Sequence, residues 1–278
     1  MRGATSLPIR KSWTLRISFV FLLLVGTIAV ATPYLDLADP DTQDLELGAT
    51  APSAEHWFGT DPLGRDLLSR TLYGARISLM VGLVGTAVAV GLGVLYGMLA
   101  GWWGGRADLL MMRVVDLLYG LPYMFFVIVL MVWFGRSMIN LFIGLGAVSW
   151  LTMARIVRGQ VLSLRGRDFI LAARATGLPT CVILRRHILP NIAAPVLVYA
   201  TLTVPRVMLE EAFLSFLGLG VQPPAASWGS LISEGAVLFR EYPWLVLVPG
   251  AILSATLLAL NFFGDGLRDL MAAEDRPS

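Results

Sequence analysis

The sequence predicts an all-α, polytopic membrane protein with six transmembrane helices. Hydrophobic residues make up 56% of the chain, and only 14% are charged, against about 25% in a typical soluble domain. The mean hydropathy is +0.74. Uncharged runs of about 20 residues, the length that crosses the hydrocarbon core as a helix, recur along the chain. A soluble protein of 278 residues would need a polar surface that this composition does not supply.

The boundaries of the six spans follow from the charged residues that flank each apolar run. The predicted spans lie at about residues 17–35, 77–101, 117–135, 137–155, 191–212 and 243–264. An outer loop at 36–76, a cytoplasmic loop at 156–190 and a second outer loop at 213–242 connect them. Residues 1–278 are therefore predicted to form one membrane domain.

The basic residues predict which side of the membrane each loop occupies. With a cytoplasmic N-terminus, 15 of the 21 Lys and Arg residues fall on the inner side, from Arg2 and Arg10 at one end to Arg268 and Arg276 at the other. Short loops rich in Lys and Arg stay on the cytoplasmic side. Both termini are therefore predicted to be cytoplasmic.

The first apolar run also has a second interpretation, as a cleavable signal peptide. Basic residues precede it, and the small-residue sequence AVA at Ala29–Ala31 is typical of a cleavage site. Cleavage would leave five spans and would place the new N-terminus outside.

The second half of the first outer loop differs from its acidic, turn-rich first half. Beyond His56, Leu67, Leu68, Leu72 and Tyr73 recur near helical spacing. This pattern predicts an amphipathic helix that leads into span two.

Span two carries a small residue at every fourth position. Ala89, Gly93, Gly97 and Gly101 would form one smooth stripe along the helix. Such stripes let membrane helices approach closely, which matters because lipid offers no hydrophobic force to hold two helices together. We expect a helix-packing surface here, with a partner either in this chain or in another.

The residue inventory argues against several classes of function. Cys181 is the single cysteine, and the two histidines, His56 and His187, are far apart in the sequence, so we expect no metal site and no disulfide. The net charge of +2 argues against binding to nucleic acid.

Neither histidine lies within an apolar run, so a serine protease inside the membrane would lack its base. No phosphate-binding glycine loop is present either. We expect no enzymatic activity, no catalytic residue and no cofactor in this chain.

Span five contains charged residues that need an explanation. Arg206 lies near the predicted outer boundary, and Glu210 is four residues further along, close enough to pair with it on one helix face. The pair is either a simple interfacial ion pair or, together with Glu211, part of a substrate path.

The cytoplasmic loop contains a short helix whose two ends are marked in the sequence. Asp168 can cap its start, and Gly177, followed by Leu178 and Pro179, can end it. A capped helix on a polar loop is unexpected in so apolar a chain.

The same loop resembles a known signature. The stretch LAARATG…HILP is similar to the cytoplasmic loop motif of permease subunits in binding-protein-dependent ABC importers: Glu-Ala-Ala, three residues, Gly, nine residues, then Ile-x-Leu-Pro. Ala172, Ala173, Gly177, Leu189 and Pro190 match in register, whereas Leu171 and His187 depart from the motif. Three further stretches, HWFGTDPLGRDLLSR, EAFLSFLGLGVQPPAASWG and NFFGDGLRD, resemble the second (C-type) permease of the dipeptide, oligopeptide and nickel subgroup.

The resemblance implies a type I ABC importer permease fold in a bacterial cytoplasmic membrane. It implies a homologous second permease, two cytoplasmic ATPase subunits that bind ATP and Mg, and an external substrate-binding protein. The short helix would be the coupling helix that contacts an ATPase. The residues expected to serve coupling are Asp168, Phe169, Ala172, Ala173, Gly177, His187, Leu189 and Pro190.

The cargo expected from the resemblance is a small peptide, with nickel or a nickel chelate as the alternative. Movement by alternating access, driven by ATP on the partner subunits, is the expected mechanism. A passive channel and an intramembrane enzyme remain as alternatives of a different class.

Overall fold

The computed structural model describes residues 7–274 of the chain, and the side-chain surroundings of residues 13–271. Arg2 and Arg276, two of the residues used to predict orientation, lie outside the described part. Within residues 7–274 the chain is mostly helical and contains no strand, which confirms the all-α prediction. The helices are α1 (Leu7–Ala31), α2 (Leu67–Trp103), α3 (Gly105–Gly120), α4 (Tyr123–Phe134), α5 (Met138–Leu164), α6 (Asp168–Ala175), α7 (Thr180–Ile183), α8 (Leu189–Phe216), α9 (Trp228–Ala236) and α10 (Trp244–Glu274).

Five long apolar helices account for five membrane spans. Four of them are α1, α2, α5 and α10, and the fifth is Thr180–Phe216, in which α7 runs through a π-helical turn at Leu184–Ile188 into α8. α3 and α4, which meet at an angle of 82°, are long and apolar enough to cross a membrane only as a pair, and counted as one broken span they bring the number to six. A polytopic membrane protein with five to six apolar helices agrees with the predicted fold class.

The structure differs from the prediction of one continuous third helix at 117–135. The chain leaves the helical conformation at Leu121, whose φ of −76° and ψ of 137° are extended. The cause is Pro122, because the ring of a proline disfavours the helical conformation at the preceding residue. Span three is therefore a broken helix.

α2 is longer than the predicted span. Its 37 residues include both the amphipathic stretch and span two, so the expected outer helix is the first part of one continuous helix. The side chain of Asp66 caps this helix, accepting a hydrogen bond from the backbone N–H of Ser69 at 2.8 Å. Caps of this kind satisfy N–H groups that have no partner within the helix.

α2 packs along α5 through the small-residue stripe, so the stripe contacts a helix of the same chain. Ala89, Gly93, Gly97 and Gly101 are all buried. A Cβ on Gly93 would lie only 2.5 Å from the Cβ of Met153, and one on Gly101 only 2.8 Å from that of Val161. These contacts agree with the predicted packing surface and identify its partner.

The loop before α2 is fixed by a network of ion pairs in which Asp61 and Arg70 are buried. Arg70 donates to Asp61 at 2.8 Å and to Glu234 of α9 at 2.9 Å, and its side chain is 3% exposed. Arg65 also donates to Asp61, at 2.7 Å. Two basic and two acidic groups thus neutralise one another and tie the loop to α9. A buried charge without a partner would be strongly destabilising.

Candidate functional site

α6 is attached to the membrane helices by two inward-facing residues. Ile170 is fully buried and Ala173 is 7% exposed, and both pack in a cluster that includes Val157 and Val161 of α5. The two residues are three positions apart, so they lie on one face of the helix. The same two valines also contact the small-residue stripe of α2, because a Cβ on Gly97 would lie 2.9 Å from that of Val157.

The start of α6 differs slightly from the prediction. Arg167, in an extended conformation, is the N-cap residue, and Asp168 is the first residue of the helix. The side chain of Arg167 forms no capping hydrogen bond. Asp168 still favours the helix because its negative charge lies in the first turn, at the positive end of the helix dipole.

The end of α6 is as predicted. Gly177 has a φ of +76°, the left-handed conformation that glycine adopts without a steric penalty. Its N–H donates to the carbonyl of Arg174 at 3.0 Å, and the N–H of Leu178 donates to that of Ala173 at 3.3 Å. These two hydrogen bonds define a Schellman motif, which satisfies the last carbonyls of the helix.

A cation–π contact joins α6 to the C-terminal end of α2. The guanidinium of Arg174 lies 4.1 Å from the ring centroid of Trp102. Such contacts contribute about 0.5–1 kcal/mol when exposed. α6 therefore touches α2 through Arg174 and shares an apolar cluster with residues of α5.

The opposite face of α6 is exposed and largely apolar. Phe169 is 43% exposed, Leu171 is 49% exposed and Leu178, just after the helix, is 39% exposed. Ala172 is exposed as well. Exposed apolar patches of this kind mark contact surfaces for other proteins.

The remaining residues of the motif lie where the segment that follows α6 enters α8. His187 is half-buried within the π-helical turn, and its carbonyl accepts a hydrogen bond from Asn191 at 2.7 Å. Leu189 and Pro190, both exposed, form the first turn of α8. Seven of the eight residues expected to serve coupling are thus at least partly accessible, and Ala173 is the one whose side chain packs inward.

A second polar cluster lies where α8 meets the start of α4. Arg206 donates to Glu210 at 2.9 Å, so the predicted pair is present. The hydroxyl of Tyr123, the first residue of α4, donates to the other oxygen of Glu210 at 2.7 Å. The side chain of Arg206 is 49% exposed, whereas that of Glu210 is 12% exposed.

Glu211 belongs to a different environment from its neighbour. It is 1% exposed, and one of its oxygens accepts hydrogen bonds from Ser215 and Ser227, both at 2.7 Å. Ser227 is also the N-cap of α9. The structure therefore separates Glu211 from Arg206 and Glu210, and indicates that Glu211 joins α8 to α9.

Sequence reasoning missed a third group of polar residues, at the other side of the break in span three. Arg155 donates to Asp116 at 2.9 Å, and its guanidinium lies 4.3 Å from the ring centroid of Tyr119. The Tyr119 hydroxyl lies 3.3 Å from that of Thr152. In the sequence, Asp116 and Arg155 mark only the ends of apolar runs. In the sequence, only the proline in span three indicated that the helix breaks in this region.

The sequence of the chain is similar to those of known transport proteins. Residues 93–274 match the family described as “Binding-protein-dependent transport system inner membrane component”. The chain is 49% identical over 261 residues to the oligopeptide transport system permease protein OppC of Escherichia coli (strain K12), an alignment that covers 93% of this chain and 86% of that one.

Two further relatives are nearly as similar. The oligopeptide transport system permease protein OppC of Haemophilus influenzae is 46% identical over 259 residues, covering 92% of this chain and 83% of that protein. The dipeptide transport system permease protein DppC of Bacillus subtilis (strain 168) is 44% identical over 251 residues, covering 90% and 78%. The chain belongs to the family of inner membrane components of binding-protein-dependent transport systems.

Proposed function

We propose that this chain is the permease subunit of an ATP-driven importer of small peptides. The observation that carries the proposal is the 49% identity, over 93% of the chain, to a permease named for oligopeptide transport. The relatives named for oligopeptide and dipeptide transport favour peptides over nickel as the cargo. ATP hydrolysis belongs to separate subunits in this proposal, and a second permease and an external binding protein complete the assembly.

α6 is the proposed contact with an ATPase. Its exposed apolar face offers a surface for a partner groove, and its Schellman motif keeps the last turn from fraying. Ile170 and Ala173 pack in one apolar cluster with Val157 and Val161 of α5, and α5 packs against α2, so the cluster offers a route by which a displacement of α6 would reach these spans. This geometry suits the transmission of ATPase closure to the translocation path.

The proposed orientation follows from the same contact. ATP is available in the cytoplasm, so α6 and the loop at 156–190 are placed there, with the outer loops at 36–76 and 213–242 on the opposite side. The excess of arginine on the α6 side supports this orientation. The external binding protein would then meet the loop that Asp61 and Arg70 fix to α9.

Substitutions at two neighbouring alanines test whether α6 contacts an ATPase. Ala172→Glu adds a carboxylate to the exposed face of α6, where contact with an ATPase would have to bury it at a cost of several kcal/mol. We expect the permeases to remain folded but to lose most of the ATPase subunits during purification of the complex. Retention of the ATPases by Ala172→Glu at the wild-type level would contradict the assignment of α6.

Ala173→Glu is the matched control for a purely internal defect. It places the carboxylate in the apolar cluster around Ile170, so it should lower the thermal stability of the permease itself. The two variants therefore separate loss of a partner contact from loss of folding, since only the second should be destabilised without partners.

A further inference from the structure

The break in span three is exposed on the surface of this chain. Gly120, Leu121 and Pro122 are all exposed. On either side of the break, Val127 packs against Gly144 of α5, and Tyr119 lies beside Thr152. These two α5 residues are 6 and 14 positions beyond Met138, the start of α5, which places the break about 9–21 Å along that helix. With the start of α5 at one edge of a hydrocarbon core about 30 Å thick, the break lies near the middle of that core.

An exposed break at this depth does not suit contact with lipid. Backbone N–H and C=O groups that leave a helix find no hydrogen-bond partners in hydrocarbon, at a cost of several kcal/mol each. Irregular backbone is tolerated at membrane depth only where protein buries it or where it lines a water-filled cavity. The surface around Leu121 therefore faces one of these two environments.

The charged groups beside the break favour a water-filled cavity over burial by another protein. The side chains of Arg206, Arg155 and Asp116 are 49%, 41% and 54% exposed. A packed interface with a second permease would remove both ion pairs from water. The cost of this desolvation can exceed the Coulombic gain. A water-filled path leaves them solvated. Charged residues within membrane spans commonly mark such paths.

We propose that the polar surface around the break is where a peptide in transit contacts this subunit, an inference that rests on the proposed function. The surface consists of Asp116, Tyr119, Tyr123, Arg155, Arg206 and Glu210. The two tyrosines flank the break, Tyr123 beside the Arg206–Glu210 pair and Tyr119 beside the Arg155–Asp116 pair.

The chemistry of the surface fits a zwitterionic peptide. A peptide carboxylate can replace Glu210 beside Arg206, or Asp116 beside Arg155, as a hydrogen-bond acceptor for a guanidinium. A peptide ammonium group can correspondingly pair with the released carboxylate. Because each ion pair is already neutral, the peptide exchanges with an existing partner and gains little net energy. Weak, multi-site binding of this kind allows passage, whereas tight binding would trap the cargo.

Photo-crosslinking during transport tests the inference. A benzoylphenylalanine in place of Tyr119, which is 45% exposed, replaces one aromatic side chain by another and faces the proposed path. The control carries the same group in place of Phe262 of α10, which is 52% exposed. Each variant is reconstituted as the whole complex in proteoliposomes with the binding protein, ATP and a tritium-labelled tripeptide, and is then illuminated.

We expect tritium on the permease with the crosslinker at position 119, several-fold above the control at 262 and reduced by excess unlabelled tripeptide. If the 119 variant does not assemble, a crosslinker in place of Leu121, which is 47% exposed, gives the same measurement. Adducts only with the second permease or with lipid, in proteoliposomes that take up the tripeptide, would overturn the inference and leave the proposed function intact. Absence of uptake by the wild-type complex would overturn both.

Discussion

Replacing Gly97 with alanine is expected to lower the free energy of unfolding of the permease by about 1–3 kcal/mol, the usual cost of overpacking a tight contact. The added Cβ would lie 2.9 Å from the Cβ of Val157 and 3.0 Å from the backbone nitrogen of Arg158. Neither atom is the end of a flexible side chain, so α2 and α5 must separate. The measurement is the midpoint of thermal unfolding of the purified complex.

Gly91→Ala is the matched control on the same helix. A Cβ on Gly91 meets nothing within 4 Å, and alanine favours a helix over glycine by about 1 kcal/mol. We therefore expect Gly91→Ala to be neutral or slightly stabilising. An equal effect of the two substitutions would show that the stripe does not set the distance between α2 and α5.

The second large effect is expected at Gly177, where leucine should weaken the contact of the permease with its ATPases. A residue with a Cβ pays roughly 1–2 kcal/mol in the left-handed conformation, and Gly177 has a φ of +76°. Relief of that strain would break the hydrogen bonds that end α6. Since 1.4 kcal/mol corresponds to a factor of ten, we expect peptide uptake and binding-protein-stimulated ATP hydrolysis to fall about tenfold.

The loop offers a control for the size of the new side chain. A Cβ added to Gly166 would also meet open space, but Gly166 lacks the left-handed conformation, so Gly166→Leu should transport nearly normally. Gly177→Asn should be milder than leucine, because asparagine tolerates that conformation. If Gly177→Leu transports like wild type with its ATPases bound, α6 is only a connector between α5 and α8.

Local features of the fold could be predicted from the sequence because their causes are local. Gly177 ends α6 through its own backbone conformation, and the four-residue spacing of Gly93, Gly97 and Gly101 places them on one helix face whatever lies opposite. The Arg206–Glu210 pair follows from helical spacing in the same way.

The features that were missed depend on packing between distant segments. Nothing near Ala173 indicates that its side chain packs in an apolar cluster rather than facing outward. The apolar run at 117–135 has the hydropathy of one span, and only Pro122 signals a break, without giving its angle. Adjacent residues on a helix point about 100° apart, so Glu210 and Glu211 could have been assigned to different faces from the sequence. The partners of Glu211 lie on α8 and at the start of α9, and only the structure brings them together.

Peptide uptake by the purified complex tests the proposed function most directly. The chain is purified together with the subunits that accompany it, reconstituted into proteoliposomes with the external binding protein, and supplied with a radiolabelled oligopeptide. We expect uptake that requires both the binding protein and ATP, and that stops when ATP is replaced by a non-hydrolysable analogue. Uptake that continues without ATP would contradict the proposal, because the chain would then act as a passive channel.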